Sequence, residues 1–431
     1  MYTITKSEIF QHKRKIFVNL FKLIGSVIVN FVGIKVFNEK QKKFYRSEFF
    51  VFFAINLTNI FVNTFIMASG GGIADVAMYN LFIVISVGIT SIIQAHLVKK
   101  IGLIKAYRLG IITFILFNLT ILVLRENINN FLWLAGFLAG TSATFFFVSR
   151  NMIILVCADY DQDAESVYFG AAGILNSVLV ITLPILAGLV IQFGRTELSH
   201  IFDGMLGYYI TFSIGILSFL VAFMFSFAVP KLPVKHSDTN IWQDVKVLLK
   251  KKSVIYSGLG EFFRGMKDTA SGFILVILLF EISRSEALVG TFTMVMAACQ
   301  LIGFCITARY LNLKRTKSFL LAFALTVSIA PLLLLFGVEL WTLFIVGGAG
   351  FVVVSFQNAA NVICSNAIRG YVESGFMIRE LFLNIGRVFG LTFLLFMSQS
   401  EFLVIIAIIT LGFTQIFMWL AHSQVKFKQV T

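Results

Sequence analysis

The chain has 431 residues, of which 58% are hydrophobic, 15% aromatic and only 13% charged, with a formal net charge of +14. A soluble domain carries about 25% charged residues, so this composition excludes an ordinary soluble enzyme or binding module and belongs to a polytopic membrane protein. The basic residues sit in short polar loops, the pattern of positive-inside topology, which makes the lipid bilayer and not nucleic acid the partner of that charge.

Residues 1–48 form a basic segment. Within it Lys15, Asn19, Lys22, Ser26 and Asn30 recur every three to four residues among Ile16, Phe17, Leu20, Ile24, Val27 and Phe31. That spacing predicts an amphipathic helix lying in the cytoplasmic interface; a spanning helix is the alternative. No cleavable leader is expected at this end.

Apolar spans follow at 49–68, 78–97, 108–124, 131–157, 167–192 and 206–229. After a polar linker at 230–252 come 254–280, 287–307, 318–336, 340–364, 372–397 and 400–421. Each is long enough to cross a hydrocarbon core of about 30 Å. The expected fold is all-α, about twelve transmembrane helices in two six-helix bundles (49–229 and 253–421), with a tail at 422–431. Lys99, Lys100, Lys105 and Arg108, the linker lysines, Arg309, Lys314, Arg315 and Lys317, and Lys426 and Lys428 all fall on one side. Both termini are therefore expected in the cytoplasm, and the protein in a plasma membrane, of bacterial type, as a monomer.

The two halves repeat each other. Asn56, Asn59 and Asn63 in the first span have the same i, i+3, i+7 spacing as Glu261, Arg264 and Asp268 in the seventh, 205 residues on. Asn151 and Cys157 match Asn358 and Cys364 at 207, and Leu175-Asn176 matches Leu383-Asn384 at 208. A nearly constant offset through three pairs of helices marks an internal duplication of the kind transporters are built from.

Six plus six helices, a basic central loop and basic loops after the second and eighth spans resemble the major facilitator superfamily of secondary transporters. The loop Ala95-His-Leu97-Val-Lys99-Lys100-Ile-Gly102, with Lys105 and Arg108, is similar to that family's G-x-L-x-D-R-x-G-R-R loop in Leu97, Lys100 and Gly102, and departs from it at Ala95 and Lys99. Its second copy keeps Arg309 and has Asn312 where the family has the turn glycine. The resemblance assigns Lys99, Lys100, Gly102, Arg309 and Asn312 to gating loops. Leu183-Pro184 and Gly188 are similar to an element of drug–proton exchangers, and read equally as a close-packing site.

Charges inside the spans are the functional candidates, because an intramembrane ion marks a cavity or a partner. With a rise of about 1.5 Å per residue, Glu261 and Arg379 share a layer about 13 Å deep, and Asp268 and Arg387 one near 22 Å. Glu261 is expected to meet Arg379, and Asp268 to meet Arg387. Glu261, Asp268 and Glu380 are the candidate proton-coupling acids, with Arg264, Arg379, Arg387 and Lys267 as charge partners; structural ion pairs are the alternative. Arg150, Gln357, Asn358 and Asn361, with Asn56, Asn59 and Asn63, are the candidate substrate lining. Five bases against three acids give a positive cavity, which points to an anionic or amphiphilic organic solute.

The expected function is a proton-coupled secondary transporter of a small molecule working by alternating access. The alternatives are a sugar or polar-nutrient importer, a proton-driven lipid flippase, and a non-transporting receptor of the same fold. The cysteines (Cys157, Cys299, Cys305, Cys364) and the five histidines have no metal-type spacing, and no nucleotide-binding G-x-x-x-x-G-K-[ST] is present. Neither a metal, a cofactor nor an enzymatic activity is expected.

Overall fold

The computed structural model describes residues 38–157, 162–230, 241–310, 315–367 and 372–425. The amphipathic helix expected in the basic segment falls, up to residue 37, outside them. From there the chain departs from expectation. The first long helix, α1 (Glu39–Ala68), starts ten residues before the predicted span, because Asn38 and Gln41 form a capping box that satisfies its first amides. Glu48, placed by sequence in a basic preamble, is thereby carried into the helix interior.

The first half continues with α2 (Ile73–Ile101), α3 (Leu103–Leu124), α4 (Leu132–Cys157), α5 (Gln162–Thr196) and α6 (Leu206–Ser226). A short linker helix α7 (Ile241–Leu248) precedes the second half: α8 (Lys252–Ser283), α9 (Glu286–Tyr310), α10 (Thr316–Ile329), α11 (Leu340–Val354) with its continuation α12 (Asn358–Ala367), α13 (Val372–Met397) and α14 (Glu401–Ser423). Ten described stretches are long and apolar enough to cross a membrane. One of these, Leu103–Ile154, holds both α3 and α4, and α8, with Glu261, Arg264, Lys267 and Asp268 within its length, is not among them; counting it, twelve spans result among the described residues. Between α2 and α3 the chain turns at Gly102, whose φ of 84° is the left-handed conformation that glycine adopts without strain. Past Ile329, Pro331 removes a helical donor and the ninth span ends as a 3-10 turn over Ala330–Phe336.

Two faces can be distinguished. The basic face holds Lys100, the linker helix α7 and the ends of α6 and α14. Toward the opposite face a single apolar core runs through both halves, joining Phe61, Phe65 and Leu183 of the first to Phe280, Phe292 and Leu391 of the second. Toward the basic face the core divides. Phe44, Tyr107, Phe146 and Phe219 form one cluster within the first half, and Leu320, Phe323 and Ile363 another within the second. The halves thus share their apolar core toward the opposite face and have separate cores toward the basic face.

The shared core is fastened where α5 crosses α9. Gly188 lets α5 approach the backbone of Glu286 and Ala287, and Gly290 lies against Pro184 and Ile185. The Pro184–Gly188 element is a packing surface between the halves. Beside it the Arg195 guanidinium sits 2.6 Å from the Glu286 carboxylate, which also accepts a 3.1 Å hydrogen bond from Tyr208. Glu286 is fully buried and Arg195 partly exposed, so this ion pair joining the halves is screened less than a surface pair.

Within the second half, α8 and α13 pack backbone to backbone through Gly265, Gly386 and Gly390. A Cβ at Gly390 would stand 2.6 Å from the Met266 carbonyl carbon and 2.9 Å from its Cα, contacts that only a shift of the helix relieves. Gly390→Val is expected to lower stability by about 1–3 kcal/mol, the usual cost of overpacking, read as a fall in the unfolding midpoint in detergent. A midpoint equal to that of the unsubstituted protein would show that α8 and α13 separate easily.

Candidate functional site

Helix α8 presents Glu261, Arg264 and Asp268 along one side, as positions i, i+3 and i+7 must, and α13 faces it at close range. Glu261 has no exposed surface. Its carboxylate lies 3.2 Å from Nη1 of Arg264 and 3.4 Å from Nε of Arg379, while the Cys364 thiol is 3.6 Å away and Nε2 of His422 is 3.7 Å away. Two turns further along, Asp268 lies 3.7 Å from Arg387 and 4.0 Å from Arg264, and accepts a 3.4 Å hydrogen bond from Gln357. Arg264 thus stands between two carboxylates, and Arg379 does too, with Nη1 3.4 Å from Glu380. Two arginines, each with a second acid in reach, can change partners without losing a counter-charge.

The structure therefore brings Glu261 to Arg379 and Asp268 to Arg387 across the two helices, and joins Arg264 and Gln357 to the same network. Glu380 is half-buried and reaches the cluster through Arg379. Lys267 points elsewhere: it is buried with Nζ 5.3 Å over the Phe323 ring of α10, as its offset of about a third of a turn from the acidic face requires.

In the first half the equivalent helix pair, α1 and α5, is joined by an amide pair where α8 and α13 have the ion network. Asn56 donates a 2.7 Å hydrogen bond to Asn176, and Asn63 accepts a 3.2 Å one from Asn80 of α2. Asn59, between them in sequence, is exposed. Asn176 is the repeat mate of Asn384, which itself accepts from Arg387 at 3.2 Å. Asn358 and Asn361 lie on α12, with side chains outside the described set, as are those of Lys99 and Arg309 and the whole of Asn312. Lys100 is exposed beside the Gly102 turn.

Arg150 corrects the charge count. Its guanidinium is paired with Glu48 of α1, which also accepts from the Tyr168 hydroxyl of α5, and lies 5.1 Å over the Phe52 ring. The set of buried acids inside the spans is thus larger than the three named from sequence, and the positive excess behind the anionic-solute expectation shrinks to one. Glu48 was missed because nothing in the run Arg46-Ser-Glu48 separates a buried acid from a loop acid, although a helix started at the Asn38 cap would have flagged it. His422 was missed as one of five scattered histidines, and Glu286 and Arg195 because both fall just outside the predicted spans 287–307 and 167–192.

No protein-family model matches the chain. It is 26% identical over 398 residues to the uncharacterized protein YqgE of Bacillus subtilis (strain 168), covering 87% of each chain. Among solved structures it is similar to the nucleoside transporter NupG (TM-score 0.66, 10% identity, 91% of this chain and 100% of that one). A bacterial homologue of the iron transporter ferroportin in its inward-facing state matches at a TM-score of 0.64 and 13% identity, over 88% of this chain and 98% of that one. The Escherichia coli fucose:proton symporter FucP matches at 0.60 and 15% identity, over 89% and 98%. The chain has the major facilitator fold.

Breaking a buried ion pair on one side costs about 3–5 kcal/mol, whereas removing both partners is often close to neutral. Arg379→Gln is therefore expected to lower stability markedly, and Glu261→Gln with Arg379→Gln to recover most of the loss, measured as a double-mutant cycle in detergent. Additive losses would show that Glu261 draws no stability from Arg379.

Proposed function

We propose that this protein is a secondary active transporter that moves a small polar organic solute by alternating access, driven by proton binding in the second half. The observation that carries the reading is Glu261: a fully buried carboxylate on a spanning helix, held by arginines that each have another acid within reach. Protonation removes the charge that holds Arg264 and Arg379 at Glu261. The arginines then turn to Asp268 and Glu380, and α8 and α13 change their relation to the first half. Deprotonation on the other side of the membrane reverses the exchange.

The basic face is the cytoplasmic one in this reading, so the state described above is open inward and closed outward. Solute enters the gap between the halves, where Asn59 of α1 offers a polar group, and the first half recognises while the second couples. With Arg150 matched by Glu48, the lining favours an uncharged polar solute or a singly charged anion over a strongly anionic one. The sugar and nucleoside substrates in the names of FucP and NupG are of that class, and are the first to try. The transporter acts as a monomer in a bacterial plasma membrane.

The test is counterflow and pH-driven uptake in proteoliposomes with a panel of labelled monosaccharides, nucleosides, dipeptides and carboxylic acids. At least one solute is expected to accumulate against its gradient when the proton gradient is imposed. Glu261→Gln is expected to abolish accumulation while leaving exchange of the same solute intact, because exchange needs no net proton movement. Uptake that ignores the gradient in the unsubstituted protein would sink the coupling proposal.

A further inference from the structure

One member of the Glu261 cluster has no part in the exchange just described. His422 lies in the last turn of α14 and is fully buried. Its ring rests directly on the Cα of Gly260: a Cβ there would stand 2.5 Å from Cδ2 and 2.6 Å from Cε1 of the imidazole. Glycine at 260 is what admits the ring to the cluster. Nε2 then stops 3.7 Å from Oε1 of Glu261, beyond hydrogen-bonding length, and neither ring nitrogen has a hydrogen-bond partner among the described residues. A buried imidazole with both nitrogens idle is costly, and such a group calls for an arrangement that uses it.

The groups around it come from every neighbouring helix. Glu261 and Arg264 face it from α8, Arg379 from α13 and Cys364 from α12, where the thiol lies 2.7 Å from Ser257. On the α10 side Lys317 donates to the carbonyl of the next residue, Ser423, at 2.6 Å. Of these, Glu261 alone offers Nε2 an anionic acceptor, and the ring lies at the end of α14 nearest the basic face.

We propose that His422 is the proton relay of Glu261. An imidazolium formed from the basic-face side gives its Nε2 proton to Oε1 of Glu261, which leaves a neutral imidazole and a neutral carboxylic acid and conserves net charge. Arg264 and Arg379 lose their common anion in that step, and their second acids, Asp268 and Glu380, receive them. The return transfer restores the arrangement observed. The assignment rests on the coupling role of Glu261 proposed above. It makes His422 a positioning and relay group whose loss alters the pH dependence of the conformational change and not the fold.

The experiment needs no solute, because the proton is the ligand. Spin labels at the exposed loop positions Glu197 and Phe336, on the opposite face of the two halves, report the distance across it as pH is varied in the full-length protein in nanodiscs. The expected result is a pH-dependent distance in the unsubstituted protein, a flat response in Glu261→Gln, and a midpoint displaced by about one pH unit or more in His422→Gln and His422→Asn. A midpoint unchanged in both histidine variants would overturn the relay and leave the coupling acid standing. A flat response in the unsubstituted protein would overturn both. Should the histidine variants not fold, imidazole nitrogen resonance titration of the native chain and of Glu261→Gln decides the matter. The His422 midpoint is expected to differ between the two by about a unit or more, and equal midpoints would refute the relay.

Discussion

A carboxylate without a water-exposed atom, on a helix that crosses the membrane, dictates much of what surrounds it here. The effective penalty for burying an ion is several kcal/mol, and Glu261 lowers it only by recruiting cations from its own helix and from α13. Those cations require α8 and α13 to lie closer than ordinary side chains allow, which explains the glycines at 265, 386 and 390. The approach then lets Arg387 reach Asp268 from the same two helices. Charge, glycine placement and helix crossing in the second half are one problem with one solution.

The first half meets the same crossing with an amide pair at this level, its own buried acid, Glu48, lying further along α1 with Arg150 and Tyr168. Asn56 and Asn176 meet where Glu261 and the α13 arginines meet in the repeat, and a neutral hydrogen bond replaces the ion network. Duplicated bundles that began alike would have had the same polar face. In this chain one copy carries amides at that level and the other carries ionisable groups.

Much of this was legible in the sequence because it depends on periodicity and length. Hydropathy spacing placed twelve spans to within a few residues, except where the cap at Asn38 starts α1 early. The depth of Glu261 against Arg379, and of Asp268 against Arg387, could be counted along helices of known rise. What could not be counted was lateral proximity. Glu48 meets Arg150 across 102 positions, and His422 meets Glu261 across 161, and no spacing rule links residues that far apart. The Arg195–Glu286 pair was hidden for another reason. Both residues sit at helix ends, where a charge is ordinarily solvated, and only the crossing of α5 with α9 covers them.

The unequal division of the hydrophobic core has a mechanical consequence. Toward the face opposite the basic one the halves share one continuous core fastened by the Arg195–Glu286 ion pair, whereas toward the basic face each half has its own finished core. Moving from this state to its opposite means tearing a packed apolar seam at one end, while at the other end two completed surfaces merely come to rest against each other. The two ends of the molecule are therefore unlike in the work that parting the halves there requires. A rocking molecule built this way behaves as a sprung clip: closed at the jaw by default, and opened there only when a load at the centre overcomes the seam.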